Sequence, residues 1–211
     1  MSAVEDAALI ASVARGDDRA FETLVYKYEQ RLRRYVRTFV RDEEKAKELV
    51  QDTFVKVYRN AHRFEPKASF ATWLFRIAHN TAISYLRKKK LPLTFGFGNY
   101  DPDSDQPAGD VATDELGPYE RALGGEIGQM IRNELERLPD KLREAFVLFD
   151  VEQNSIKEIS AITGSPEGTI KARIFRARRA LRERLAGYVE RAEHPDAEML
   201  PGGTATKPAK V

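Results

Sequence analysis

The sequence predicts an all-α protein of two small helical domains, a bundle and a helix-turn-helix module, joined by a flexible acidic linker. Three observations carry this reading. Apolar residues recur at three- and four-residue steps through both halves of the chain, with no alternating strand pattern and no hairpin signal. Composition changes sharply after Lys90. A short turn containing Gly164 separates two segments that carry helix-stop and helix-start residues.

The first domain is expected over residues 6–90. Phe21, Leu24, Val25, Tyr28, Leu32, Tyr35, Val36 and Phe39 form one helical stripe. Leu49, Val50, Phe54, Val57 and Tyr58 form a second. Phe70, Trp73, Leu74, Ile77 and Ala78 form a third, with Ser69 placed to cap it. Three amphipathic stripes in so short a stretch bury their faces by packing together as a bundle.

Residues 91–126 have the composition of a linker. Pro92, Pro102, Pro107 and Pro118 break any periodicity, and from Asp101 to Glu120 there are seven acidic residues and no Lys or Arg. Fully extended, such a stretch reaches roughly 120 Å. The tail, 190–211, holds Pro, Gly, Thr and Lys without an apolar stripe and is expected to be disordered.

The second domain is expected over residues 127–189, with a helix boundary at Pro139. Ser155 and Glu158 have the spacing of a capping box ahead of Ile156, Ile159 and Ile162. Gly164 suits a left-handed helix stop, and Ser165, Pro166 and Glu167 suit the start of the next helix. That second helix carries a buried stripe of Ile170, Ile174, Ala177, Leu181 and Leu185. Its other faces hold Lys171, Arg173, Arg176, Arg178, Arg179, Arg182 and Arg184 against Glu167 and Glu183, a net charge of +5. A helix with one apolar and one arginine-rich face fits the major groove, where forked guanidinium donors match guanine edges and phosphates. Thr169, Lys171, Arg173, Phe175, Arg176, Arg178 and Arg179 are the candidate contacts.

In the first domain the helix FATWLFRIAHNTAISYLRKKK, with the polar loop before it, interleaves cations, aromatic rings and amides. That mixture suits single-stranded DNA: cations track phosphates, rings stack on unpaired bases, and amides read base edges. The candidates are Arg63, Phe64, Lys67, Phe70, Arg76, Asn80, Ser84, Arg87 and Lys88. Trp73 lies on the apolar stripe and reads as core. On the segment ELVQDTFVK, the residues Glu48, Gln51, Asp52 and Lys56 face away from the stripe. This is either an ordinary solvated face or a protein-docking face.

Several functions are excluded or disfavoured. The chain has no cysteine, which removes disulfides, thiol catalysis and cysteine-ligated zinc, and fits a reducing compartment. Its three histidines lack metal-ligand spacing, and it has no Gly-rich phosphate loop and no nucleophile elbow. No catalytic residue, metal or cofactor is therefore expected. No apolar run approaches a membrane span, and the first residues lack a basic signal-peptide start. The expectation is a cytoplasmic protein with neither membrane insertion nor a small-molecule substrate.

Three stretches together resemble a known family: ELVQDTFVKVYRNAHRF, then FATWLFRIAHNTAISYLRKKK, then LERLPDKLREAFVLFDVEQNSIKEISAITGSPEGTIKARIFRARRALRERL. They look like regions 2 and 4 of the extracytoplasmic-function (group IV, sigma-70 family) RNA polymerase sigma factors. The resemblance spans Asp6 to Val189 apart from the linker, and the motifs occur in the family's order. It implies a transcription-initiation factor that binds core RNA polymerase through the β′ clamp helices and the β flap. It implies that Glu48, Gln51, Asp52 and Lys56 meet the clamp helices. Asn80, Ser84 and the loop from Arg63 to Phe70 would capture an unpaired −10 base. Lys171, Arg173, Phe175 and Arg176 would meet the −35 element. It further implies control by an anti-sigma factor. Ser84 stands where relatives often carry Asn, which changes the hydrogen bonds offered to a base. The helix-turn-helix alone would also suit a DNA-binding regulator that works without polymerase.

Overall fold

A computed structural model describes residues 3–90 and 126–193, with side chains over 4–89 and 130–186. The expected linker, apart from Glu126, and the tail from residue 194 lie outside the described residues. Among the described residues there are eight α-helices and no strand. They are α1 (Ala3–Val13), α2 (Asp18–Val36), α3 (Glu43–Asn60), α4 (Phe70–Lys90), α5 (Glu126–Glu136), α6 (Asp140–Phe146), α7 (Ile156–Thr163) and α8 (Glu167–Glu193). The last helix runs four residues past the expected domain end at 189. One glycine, Gly187, costs about 1 kcal/mol and does not stop a helix that is already long.

Local chemistry starts the helices. Asp17 and Asp42 cap α2 and α3, each accepting from a backbone N–H at 3.1 Å. Ser69 accepts from the Thr72 N–H at 3.1 Å ahead of α4. The first four helices pack together as the expected bundle. Leu24, Tyr28, Leu32, Tyr35 and Val36 of α2 are buried against Leu49, Val50, Phe54 and Val57 of α3 and Phe70, Leu74, Phe75 and Ala78 of α4. Asp6 of α1 is buried too, accepting from the Tyr28 hydroxyl at 2.7 Å and from Lys27 at 2.5 Å. Burial, then the Asp6 bond, push the Tyr28 phenol well above its ordinary value.

In the second domain α6, α5 and α7 all pack against α8. A π-helical turn, Val147–Val151, follows α6. The widened turn ends at Gln153, which sits at φ 58, and Asn154 closes it by donating its side-chain amide to the Leu148 carbonyl at 3.1 Å. The result turns Glu152 and Asn154 inward, and both are buried.

The two domains share a core, which the sequence did not foretell. Buried residues of both belong to one hydrophobic cluster, in which α4 lies against α7. Polar groups cross the same seam. Glu152 accepts from Arg31 at 2.7 Å and Arg34 at 3.1 Å. Glu144 accepts from the Tyr35 hydroxyl at 2.7 Å and lies 2.8 Å from His79 Nδ1. Thr72 donates to Glu158 at 3.3 Å.

Glu158 also closes the capping box of α7, accepting from the Ser155 N–H at 2.9 Å while Ser155 Oγ accepts from the Glu158 N–H at 3.3 Å. Burial alone would raise this carboxyl. The bonds from Ser155 and Thr72 outweigh it and hold Glu158 below the usual carboxylate range. A depressed folded value means stability that is present above the unfolded value and lost as pH falls through the folded one. The melting temperature should therefore drop more steeply below the usual carboxylate range for the natural protein than for Glu158→Gln. Melting curves recorded down the pH scale check this, and parallel decline of the two proteins would contradict it.

Candidate nucleic-acid interface

The turn between α7 and α8 is held at every step. Gly164 occupies the left-handed region at φ 71, and its N–H donates to the Ser160 carbonyl at 2.9 Å. The Ser160 hydroxyl donates to the Ser165 carbonyl at 2.8 Å, and the Ser165 N–H donates to the Thr163 hydroxyl at 3.2 Å. Ser165 was expected to cap α8; its hydroxyl accepts from Arg173 at 3.0 Å, which ties the turn to the first turns of the recognition helix. Ile159 and Ile162 of α7 and Ile170, Ile174, Ala177 and Leu181 of α8 are buried together. This fixes the crossing of the two helices and so the orientation of the basic face.

On that face Thr169, Lys171, Phe175 and Arg176 are exposed, and Arg173 is half-buried. Phe175 is 67% exposed, an apolar cost with no packing return among the described residues. Arg178 is already engaged. Its guanidinium donates to both oxygens of Asp150, with Nε at 3.1 and 3.2 Å, and lies 5.1 Å from the Phe149 ring centre. Arg179 pairs with Glu183 one turn on at 2.8 Å. An exposed i,i+4 pair of this kind is weak and exchanges readily for a phosphate.

The bundle presents a second row. Arg76, Asn80, Ser84, Arg87 and Lys88 are all exposed on α4, at the three- and four-residue steps of one helical face. The loop before α4 exposes Arg63 and Lys67, the latter paired with Glu65 at 2.7 Å. Phe64 is half-buried, edge-on to Trp73 at 5.5 Å and Phe70 at 6.1 Å. Trp73 packs against the core, as its place on the stripe predicted. Phe70 does not belong among the DNA contacts. It is 1% exposed and edge-on to Tyr28 at 5.4 Å, so it supports the loop from beneath. The apolar stripe and the polar loop overlap at this residue, and the stripe wins.

On α3, Glu48, Gln51, Asp52 and Lys56 are exposed, and Val55 joins them at 47%. Glu48 pairs with Lys45, and Lys56 donates to the Thr81 hydroxyl on α4 at 2.8 Å. Among the described residues no group of three or more His, Asp or Glu is placed to hold a metal ion, and no helix is long and apolar enough to cross a membrane.

A bundle with one polar helical face, coupled to a helix-turn-helix with a basic recognition face, defines a two-module DNA-binding protein. Comparison with known families sharpens this. Sigma-70 region 2 matches residues 24–91, and Sigma-70 region 4 matches residues 128–181. The chain is 36% identical over 196 residues to the RNA polymerase sigma-H factor of Pseudomonas aeruginosa, covering 89% of this chain and 97% of that one. It is 34% identical over 194 residues to the ECF RNA polymerase sigma-E factor of Escherichia coli K12, covering 88% and 97%. Among solved structures it is similar to the sigma factor RpoE bound to the anti-sigma factor NepR from Bartonella quintana, at 30% identity and TM-score 0.62, covering 79% of this chain and 96% of that one. It is similar also to CnrH bound to the cytosolic domain of CnrY, at 27% identity and TM-score 0.61, covering 87% and 98%. The chain belongs to the extracytoplasmic-function sigma factors of the sigma-70 family.

Two substitutions separate support from contact. Phe70→Ala should destabilise the fold by about 3–5 kcal/mol, as buried aromatic truncations do; an unchanged denaturation midpoint would return Phe70 to the surface. Arg176→Ala should cost about 1–3 kcal/mol of binding to a specific site if the side chain reads a base. Titration on specific and random duplexes checks it, and an equal loss on both would make Arg176 a phosphate contact.

Proposed function

We propose that this chain binds core RNA polymerase and directs it to particular promoters, with α8 reading the −35 element and the α4 face reading the melted −10 element. The observation that carries the proposal is the pairing of regions 2 and 4 in one chain, each with an exposed polar face suited to its half of a promoter. In the major groove, Lys171 and Arg176 supply cationic donors, and Phe175 supplies an apolar contact of the kind that meets a thymine methyl. On α4, Asn80 and Ser84 offer an amide and a hydroxyl to an extruded base, while Arg76, Arg87 and Lys88 track the backbone. Arg63, Phe64 and Lys67 flank the pocket from the preceding loop.

The face of Glu48, Gln51, Asp52 and Lys56 docks on the clamp helices of the β′ subunit, and the C-terminal module docks on the β flap. Control by an anti-sigma factor follows from the company the fold keeps, since similar structures hold such inhibitors. The named relatives are transcription factors of the initiation step, and we place this chain with them as a cytoplasmic protein that performs no catalysis of its own.

Run-off transcription with purified core polymerase on a pool of promoter fragments tests the proposal. Discrete transcripts that depend on this protein are expected. Binding to the same duplexes without polymerase, and no transcript, would favour a polymerase-independent helix-turn-helix regulator. Asp52→Arg should weaken association with core polymerase roughly tenfold or more, equivalent to about 1.4 kcal/mol, with an unchanged circular dichroism spectrum. Undiminished association would remove Asp52 from the docking face.

A further inference from the structure

We propose that Asp150 is an intramolecular stand-in for a DNA phosphate: by holding Arg178 it withholds one cation of α8 from the backbone and keeps the module's affinity for any duplex low. The inference rests on α8 as the reader of the −35 element and deepens that reading.

Helix geometry places Arg178 at the border of the reading face. Lys171, Phe175, Arg178 and Arg182 follow one another at steps of four, three and four residues, so they form one row along α8, and all are exposed. The row runs beside the buried stripe of Ile170, Ile174, Ala177 and Leu181. A recognition helix seated in the major groove turns its outer side to base edges, and the borders of that side meet the phosphates of the groove walls.

The anion that meets Arg178 in the structure belongs to the chain itself. The guanidinium donates to both carboxylate oxygens of Asp150, from Nε at 3.1 and 3.2 Å and from Nη2, and its carbon lies 5.1 Å from the Phe149 ring centre. A carboxylate offers the arginine fork the same paired oxygens that a phosphate does. The turn around the acceptor is built to hold it in place. Gln153, at φ 58, donates its side-chain amide to the Asp150 carbonyl at 2.6 Å, and Asn154 ties the turn to the Leu148 carbonyl at 3.1 Å. The Arg178 side chain is 50% exposed and that of Asp150 22%. Arg178 is thus within reach of DNA with its charge already matched.

A phosphate has to displace Asp150 to take Arg178, and the displaced carboxylate then stands beside the backbone and repels it. Both effects lower binding to every sequence alike, because phosphate contacts supply essentially all of non-specific affinity. Neither touches the base contacts assigned to Phe175 and Arg176. A module kept weak in this way does not hold the chain on DNA alone. Stable seating then depends on the linked contacts of the α4 face.

Asp150→Asn keeps the shape of the side chain and removes its charge. Binding of the full chain to a fluorescent random-sequence duplex across a range of salt reads the phosphate contacts. Releasing one cation should steepen the slope of log affinity against log salt by about 0.9, and so tighten binding roughly eightfold at about 0.1 M salt. Asp150→Glu, which keeps the carboxylate, should bind as the natural chain does. With Arg178→Ala already in place, Asp150→Asn should bring little gain, because no cation is left to release. Asp150→Ala gives the same release in case Asn disturbs the turn, and circular dichroism verifies the fold of each variant. Folded Asn and Ala variants with unchanged affinity would overturn the proposal. So would an equal gain in the absence of Arg178, which would make Asp150 a plain repulsive charge. Failure of this proposal leaves the effect of Arg176→Ala on specific binding intact, whereas failure of the −35 reading abolishes that effect.

Discussion

Two carboxylates of one module are taken out of water by cations and hydroxyls of the other, and the arrangement of the described residues follows from that pairing. Glu152 reaches its position because a π-helical turn adds a residue after α6 and turns the chain inward. Tyr35, fully buried, accepts the edge of Phe39 and Phe75 at 5.3 and 5.2 Å while its hydroxyl crosses the seam to Glu144. Burial first, then the neighbouring carboxylate, hold this phenol far above its usual range, so it donates at any physiological pH. Arg31 stacks over the Tyr28 and Phe75 rings before it reaches Glu152. Aromatic packing inside the bundle and ion pairing across the seam are thus one construction.

The division of labour between faces comes from the same constraint. The apolar side of α4 is spent on the bundle core and on contact with α7, which leaves Arg76, Asn80, Ser84 and Arg87 on the side that meets solvent. In α8 the buried stripe is fixed by the helix-turn-helix crossing, and the opposite side holds Lys171, Phe175 and Arg176. Asp150 and Phe149 engage Arg178, which ties α8 to the π turn.

Much of this was legible from residue order because the signals are local. Apolar stripes of α2, α3 and α4, the caps at Ser69 and Ser155, and the left-handed stop at Gly164 each depend on neighbours a few residues away. The one misreading comes from a partner far away in sequence. Phe70 was assigned by the polarity of its surroundings in sequence, but a distant partner, Tyr28, decides its place. The seam was invisible for the same reason. Arg31 and Glu152 are 121 residues apart, and neither Glu144 nor Glu152 belongs to a capping or turn motif. A charged residue shows in sequence only that it has a charge. Whether water or a partner satisfies it is a property of the assembled fold.

The most direct test of the account is amide hydrogen exchange on the full chain, alone and with core RNA polymerase. The free protein should protect α7 and the adjoining face of α4. On adding polymerase, protection should rise along α3 around Gln51 and Asp52, with the buried stripe of α8 unchanged. Unchanged protection along α3 in the polymerase complex would contradict the account, because the face of Gln51 and Asp52 would then take no part in docking.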